Sequence, residues 1–444
     1  MWCAVLMLAV TATPSWLMAA QVKLDVSMAQ PTLLAEKKQT TFVKVGLTGF
    51  KMSSTADRTP VNVSLVLDKS GSMSGTKIAK AKEAAIWAVR RLDSNDIVSV
   101  VVYDSTVRVL VPATKLTDKE AVCRKIREIS SGGSTALFAG VSKGAAELRK
   151  FIDRNRVNRV ILLSDGLANV GPQTPSALGE LGSSLIKEGI SVSTMGLGLG
   201  YNEDLMSQLA QRSDGNHIFI EKAEDLAKVF NFEFDHVLSV VAQEVSITIN
   251  ISPEIRPVRV LGREAEINGR QVIVKLNQLY SEQEKYVMLE VELPPSKAGK
   301  TRQIAQVDIS YANMETKTTD RLSSTVSVNF DLSKDVVQRK TKAAVMAECV
   351  LQVANEQNKL ATALRDKGDV AGARRVLEAN GRYLGTNADL YKSEKLRMRS
   401  GANLDQAKHL DGKDWARSRK SMRLHQHEGT TQQLPTFHFS GGKR

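Results

Sequence analysis

Between residues 61 and 238, short apolar runs alternate with longer amphipathic segments, and this alternation limits the possible folds more than any other feature. Four apolar runs have the length of a buried strand: Val61 to Leu67, Ile97 to Tyr103, Val157 to Leu163 and Ile190 to Leu197. Segments with helical spacing lie near Lys77 to Leu92, Asp118 to Ile129, Ala136 to Ile152, Pro175 to Lys187, Glu203 to Gln211 and Ala223 to Leu238. A shorter run, Val107 to Val111, should pair antiparallel with the strand before it. The pattern predicts an α/β fold, a mostly parallel sheet with helices on both faces.

Oxygen-bearing side chains follow two of these predicted strands and open one predicted helix. Asp68, Ser70 and Ser72 alternate in the turn after the first strand, and Asp165 follows the third strand. Thr135 lies in the glycine-rich loop Ser131-Gly-Gly-Ser-Thr at the start of a helix. Loops at the carboxyl ends of neighbouring parallel strands meet in one crevice, so we expect these side chains to share a site.

The stretches DKSGS, GGST and SDG, in this order and in these settings, resemble the metal-ion-dependent adhesion site (MIDAS) of von Willebrand factor A (VWA) domains. The resemblance covers roughly residues 58 to 237. It implies a Rossmann-like domain with a divalent cation bound directly by the hydroxyls of Ser70, Ser72 and Thr135. Asp68 and Asp165 would act through water or by orienting the other ligands. The hydroxyl of Ser134 is an alternative to that of Thr135, which the register of the family favours.

The residues beside these positions form the predicted rim of the site. Lys69 and Met73 occupy variable positions of the motif, and Ser134 precedes Thr135. By the same resemblance, these three side chains contact a partner protein and influence which partner binds.

Hydroxyls and carboxylates are hard oxygen ligands, and a site without thiolate or imidazole selects Mg²⁺, Mn²⁺ or Ca²⁺ over zinc or copper. We expect Mg²⁺ because it is small and retains waters. Three neutral direct ligands leave such an ion poorly neutralised, so an Asp or Glu side chain of a protein partner should complete its coordination.

The predicted function is metal-dependent protein binding, in adhesion or complex assembly. One alternative is a structural or scaffold subunit whose metal site is not used for ligands. Another is a cytoplasmic, chelatase-type VWA partner of a motor ATPase.

Motifs of catalysis are not found in the sequence. No His or Cys stands near an activated Ser in a recognisable motif, and no phosphate-cradling G-x-x-x-x-G-K-[ST] occurs. We therefore expect a protein that is not an enzyme.

The first 20 residues carry no charged side chain and contain the apolar block Ala4 to Val10. Such a segment predicts a signal peptide and an exported protein, either periplasmic or extracellular and associated with the cell surface. No later apolar run approaches the roughly 20 residues of a membrane span, so no transmembrane span is expected in the mature chain.

The net charge is +13, and residues 331–444 carry 22 Lys and Arg against 13 Asp and Glu. Few aromatic residues accompany these basic ones, so no nucleic acid is expected as a partner.

The remaining segments predict further domains around the VWA domain, residues 58–238. Alternating strands at 21–57 and 239–332 indicate a β-sandwich, which either follows the VWA domain or contains it as an insertion. This arrangement is similar to that of secreted bacterial and inter-alpha-trypsin-inhibitor-heavy-chain-like proteins. Residues 333–400 predict a helical hairpin, and 401–444 a basic, disordered tail in which His425, His427 and Glu428 cluster incidentally. We expect Cys123 and Cys349 to be buried free thiols, with a disulfide between them as the alternative.

Overall fold

The computed structural model describes residues 21–52 and 58–433, so the predicted signal peptide lies outside the described residues. The strands are β1 (Lys23–Met28), β2 (Thr32–Leu34), β3 (Gln39–Thr48), β4 (Val61–Asp68), β5 (Ile97–Tyr103), β6 (Val107–Lys115), β7 (Val157–Ser164), β8 (Ile190–Leu197), β9 (His217–Ile220), β10 (Val240–Ile251), β11 (Arg256–Leu261), β12 (Glu266–Asn268), β13 (Gln271–Tyr280), β14 (Glu284–Leu293), β15 (Thr301–Asn313) and β16 (Thr319–Asp331). The α-helices are α1 (Thr76–Arg91), α2 (Lys119–Arg127), α3 (Leu137–Arg149), α4 (Pro175–Lys187), α5 (Glu203–Arg212), α6 (Leu226–Leu238), α7 (Lys334–Lys340), α8 (Ala343–Asp366), α9 (Val370–Tyr391), α10 (Glu394–Lys408) and α11 (Trp415–Thr431). No helix among the described residues is long and apolar enough to cross a membrane.

The α/β domain is built on a six-stranded sheet with the order β6-β5-β4-β7-β8-β9. All pairs in it are parallel except β5 with β6, as the sequence predicts. Every residue of β4, β7 and β8 is buried, because α1, α2 and α6 cover one face of the sheet and α3, α4 and α5 cover the other. The edge strand β9 was not predicted, since its four residues are too few to show a period.

Two further sheets form the β-sandwich. One has the order β1-β3-β14-β11 and the other the order β12-β13-β10-β15-β16-β2. Apolar side chains of both sheets share a core, among them Val45 of β3, Leu289 of β14 and Ile247 of β10. Because β3 pairs with β14 and β2 with β16, the strands that precede the α/β domain complete the sandwich that follows it. The α/β domain is therefore inserted into the sandwich.

The helical region extends further than the sequence predicts. The predicted hairpin is formed by α8 and α9, but α10 and α11 continue the helical structure as far as Thr431. The prediction of a disordered tail from residue 401 is therefore wrong as far as residue 433, and residues 434–444 lie outside the described residues. Besides the buried Met422 and Leu424, polar residues form most of the buried face of α11, which explains why hydrophobic periodicity did not reveal it.

Basic residues of α11 bind an acidic pair at the start of α5. Lys420 donates to Glu203 at 2.6 Å and to the carbonyl oxygen of Tyr201 at 2.9 Å. Arg419 donates to Glu203 and to Asp204, both at 2.6 Å, and Lys420 and Glu203 are almost fully buried. Part of the excess positive charge of this region is thus used to dock α11 on the α/β domain.

A buried arginine joins the α/β domain to the sandwich. Arg159 of β7 is fully buried and donates to the hydroxyl of Ser193 at 2.8 Å, to Gln278 at 2.5 Å and to the hydroxyl of Tyr280 at 2.9 Å. Its guanidinium also lies 3.5 Å from the carboxylate of Glu233 on α6. A buried charge is tolerated only with such partners, so this arginine fixes how β7, β8, α6 and β13 meet.

His427 and the two described cysteines are buried. His427 packs edge-on against His217 of β9, with ring centroids 6.0 Å apart, so its predicted location in a flexible tail is wrong. Burial lowers the pKa of both His217 and His427 to about 3. Cys123 and Cys349 are free and buried, which confirms that prediction.

Replacing Lys420 by Met should lower the free energy of unfolding by about 3 kcal/mol, because Glu203 loses a partner in a buried network. The change is measured by denaturant unfolding of the full chain. Arg417→Met is the matched control on the same helix, since Arg417 pairs with Glu221 at an exposed position. It should cost about 0.5 kcal/mol or less. Equal losses in the two variants would contradict the proposed docking of α11.

The free energy of unfolding should also fall as the pH drops below about 6.5, the ordinary pKa of histidine. The folded-state pKa values of His217 and His427 are depressed to about 3, so the unfolded chain binds more protons in this window and is favoured as pH falls. His427→Gln should reduce the slope by up to about 1.4 kcal/mol per pH unit. A slope in His427→Gln equal to that of the unaltered chain would contradict this assignment. The measurement is denaturant unfolding at pH values between 7 and 5.

Candidate metal-binding site

Asp68 ends the central strand β4 with its carboxylate fully buried and both oxygens engaged. Its Oδ1 accepts a hydrogen bond from the backbone N–H of Ser70 at 2.8 Å, and its Oδ2 accepts one from the Ser164 hydroxyl at 2.6 Å. Burial raises the pKa of Asp68, and the nearby carboxylate of Asp165 adds to the rise. Asp68 thus orients the turn that carries the two serines.

The hydroxyls of Ser70 and Ser72 lie side by side and lead to Asp165. Their Oγ atoms are 3.1 Å apart, and the hydroxyl of Ser72 donates to Oδ1 of Asp165 at 2.6 Å. Asp165 follows β7, which pairs in parallel with β4, so the two strands end at the same edge of the sheet. This register brings residues nearly a hundred positions apart into hydrogen-bond contact.

Thr135 reaches the same crevice from the loop between α2 and α3. Its backbone N–H donates to Oδ1 of Asn169 at 2.7 Å, and its carbonyl oxygen accepts from the N–H of Asn169 at 3.1 Å. A Cβ built on Gly166 would lie 3.0 Å from Oγ1 of Thr135 and 3.3 Å from Oγ of Ser72. Glycine at position 166 therefore leaves open the space that both hydroxyls face. The fold brings all five predicted ligands to one crevice.

Two lysines place positive charge at this crevice. Lys77 of α1 forms an ion pair with Oδ2 of Asp165, and its ammonium also donates to the carbonyl oxygen of Ser72 at 3.3 Å. Lys69 forms an ion pair with Asp104, in the loop after β5. The motif did not point to Lys77, although its spacing from Ser72 puts it on the first turn of α1, beside the site.

The predicted rim differs from the observed one at Met73. Its side chain is fully buried in the core under α1, because the one-turn 3-10 helix Gly71–Met73 directs it inward. The prediction that Met73 contacts a partner is therefore wrong. Lys69 and Ser134 are partly exposed, and the backbone N–H of Ser134 donates to the hydroxyl of Ser105 at 2.8 Å.

The loop between β8 and α5 forms a wall of the crevice that the sequence did not reveal. A Cβ built on Gly200 would lie 2.9 Å from the carbonyl oxygen of Asp165, and one on Gly198 would lie 4.0 Å from Nζ of Lys77. Tyr201, which follows Gly200, is buried, and its carbonyl oxygen accepts the hydrogen bond from Lys420 of α11. Only the glycines of this loop hinted at such a close approach. The docked α11 thereby supports one wall of the site.

A family model of the von Willebrand factor type A domain matches residues 62–232. These residues form a VWA domain. Domains of this family typically mediate protein–protein interaction or adhesion, and they commonly bind a divalent metal.

Similar proteins extend the comparison beyond this domain. The uncharacterized protein sll0103 of Synechocystis sp. is 25% identical over 331 residues, which are 72% of this chain and 78% of that protein. Human inter-alpha-trypsin inhibitor heavy chain H3 is 28% identical over 165 residues, which are 35% of this chain but only 18% of the heavy chain. The solved structure of a von Willebrand factor type A protein from Catenulispora acidiphila has 17% identity, covers 88% of each chain and has a TM-score of 0.66. This last likeness shows a shared fold that extends over most of the chain.

The donor set of the VWA crevice fits a hard cation. Two carboxylates and three hydroxyls converge there, and the described residues contain no cluster of three or more His, Cys, Asp or Glu side chains suited to a metal. A metal in this crevice therefore depends on the hydroxyls of Ser70, Ser72 and Thr135. Oxygen donors of this kind suit Mg²⁺, Mn²⁺ or Ca²⁺.

In the presence of EDTA, Asp68→Asn should change the free energy of unfolding by about 1 kcal/mol or less, because the amide keeps hydrogen-bonding groups while a buried charge without a cationic partner is removed. Asp96→Asn is the matched control in the same domain. Asp96 is also fully buried, but it forms two hydrogen bonds with Arg58, at 3.0 and 2.5 Å. That control should lose about 3 kcal/mol in denaturant unfolding. A similar loss of unfolding free energy in Asp68→Asn would contradict the interpretation that the Asp68 carboxylate serves the binding site rather than the stability of the fold.

Proposed function

We propose that this chain is an exported protein-binding module that uses a divalent cation in its VWA domain to recognise an acidic side chain of a partner protein. The observation that carries the proposal is the convergence of the hydroxyls of Ser70, Ser72 and Thr135 with Asp68 and Asp165 in one crevice. The family at large supports the coarser part, protein interaction.

The residues of the crevice divide into two groups in this proposal. Ser70, Ser72 and Thr135 would hold the ion through neutral hydroxyls. Asp68 and Asp165 would act through water or as hydrogen-bond acceptors, since Asp68 already accepts bonds at both oxygens. A bound cation supplies an open coordination position that prefers an anionic oxygen, which is why the partner group is an Asp or Glu carboxylate. We expect Mg²⁺, with Mn²⁺ or Ca²⁺ as possible substitutes.

Two further parts of the proposal rest on the sequence. The uncharged, apolar residues 1–20 favour export to the periplasm or the cell surface over a cytoplasmic role beside a motor ATPase. The lack of a catalytic motif favours a binding module over an enzyme.

Mg²⁺ should bind the EDTA-stripped full chain and stabilise it by RT ln(1 + [Mg²⁺]/Kd), about 2.7 kcal/mol at a concentration of 100 Kd. Thr135→Ala should weaken binding by roughly tenfold or more, since one ligand is lost. Thr114→Ala is the matched control and should leave the Mg²⁺ affinity unchanged, because Thr114 is exposed on β6 and lies opposite Val98 near the start of β5, away from the crevice. Isothermal titration calorimetry and thermal unfolding measure both effects.

Mass spectrometry of proteins retained on the immobilised full chain in Mg²⁺ and eluted by EDTA tests the partner. The proposal requires proteins retained by the unaltered chain and by Thr114→Ala but not by Thr135→Ala. Metal binding without any such protein would favour the alternative of a scaffold subunit whose metal site binds no partner.

A further inference from the structure

Exposed apolar side chains flank the VWA crevice. Between residues 58 and 232, six large apolar side chains are more than a third exposed: Trp87, Phe151, Ile152, Leu167, Val170 and Leu199. Leu167 is 58% exposed and directly follows Gly166, while Leu199 is 44% exposed and directly precedes Gly200. Scattered exposed apolar residues are normal, but Leu167, Val170 and Leu199 lie on the two loops that border the crevice, and apolar side chains grouped beside a binding site indicate an interaction surface.

The loops that carry these side chains are fixed to the predicted ligands. The backbone N–H groups of Asn169 and Val170 both donate to the carbonyl oxygen of Thr135, at 3.1 and 3.3 Å. Gly200 lies against the backbone of Asp165 on the opposite loop. Leu167, Val170 and Leu199, here named the apolar rim, are therefore held in place relative to the crevice. A surface that is ordered before binding loses less entropy when a partner docks.

The loops of the apolar rim carry no charge. Residues 166–174 and 196–202 contain no Asp, Glu, Lys or Arg. At the crevice itself, the described charged side chains include Asp68, Asp165, Lys77 and the pair of Lys69 with Asp104. A strongly acidic partner would therefore find no complementary charge on these two loops, whereas apolar side chains would be desolvated against the apolar rim.

We propose that the VWA crevice binds an acidic residue that is flanked by apolar residues in the partner, and that Leu167, Val170 and Leu199 select those neighbours. This inference rests on the proposed function, because the acidic residue is placed by the cation. The metal would supply an anchor common to any carboxylate, and the rim would discriminate among partners.

A display library of short peptides with a fixed central Glu and random flanks tests the inference. Peptides are selected on the immobilised full chain in Mg²⁺ and eluted with EDTA. The inference expects enrichment of Leu, Ile, Val, Phe or Met beside the Glu. Selected peptides, synthesised and measured by fluorescence anisotropy, should bind Leu167→Ser and Leu199→Ser at least about fivefold more weakly than the unaltered chain.

Ile152→Ser is the matched control. Ile152 is 42% exposed, close to the value for Leu199, but it lies just beyond the end of α3, near the start of β7 and away from the carboxyl ends of the strands. This variant should bind the peptides unchanged. All three variants should retain the Mg²⁺ affinity and the melting temperature of the unaltered chain, since they alter exposed side chains that are not ligands.

The possible failures are distinct. EDTA-eluted peptides without apolar enrichment, or with equal affinity for the Leu167→Ser and Leu199→Ser variants, would overturn the role of the rim and leave the proposed function standing. A library that yields no EDTA-eluted peptide would contradict recognition of an acidic residue, and the inference would fall with it.

Discussion

Complete burial of the central parallel sheet is the constraint on which the rest of this structure depends. Because β4, β7 and β8 are covered on both faces, a polar side chain within one of these strands needs buried partners, as Arg159 has, whereas the strand ends are not covered by the helices. Asp68 and Asp165 therefore lie at strand ends along one edge. The candidate site is a consequence of this arrangement, since the helices close both faces and leave the carboxyl edge open.

Polar groups determine how the VWA domain packs against the rest of the chain. Arg159 joins the domain to β13 of the sandwich, and Lys420 and Arg419 join α11 to the start of α5. Each buried charge is compensated by a partner on another element, so the relative positions of these elements are restricted. Through Tyr201 this docking reaches the loop that borders the crevice, which links the C-terminal helix to the wall of the site.

The crevice combines neutral hydroxyls with carboxylates that are already hydrogen-bonded. Such a donor set provides oxygen ligands without neutralising a divalent ion fully, and this property distinguishes a site for recruiting an external carboxylate from a closed structural site. The exposed Leu167 and Leu199 add an apolar border whose loops are fixed by the same residues that line the crevice. The proposed function and the proposed selection by the apolar rim thus assign anchoring and selection to different side chains.

The sequence by itself determined the α/β domain and the five predicted ligands that share its crevice. Strand and helix periods are local properties, and the rule for parallel sheets placed Asp68, Thr135 and Asp165 together. Tertiary structure alone decided three other features. Met73 is buried because one turn of 3-10 helix rotates it into the core, α11 is ordered because its charges meet Glu203 and Asp204, and Gly200 lies against Asp165 because the β8–α5 loop folds over the strand end. These features depend on partners distant in sequence, for which a local pattern carries no signal.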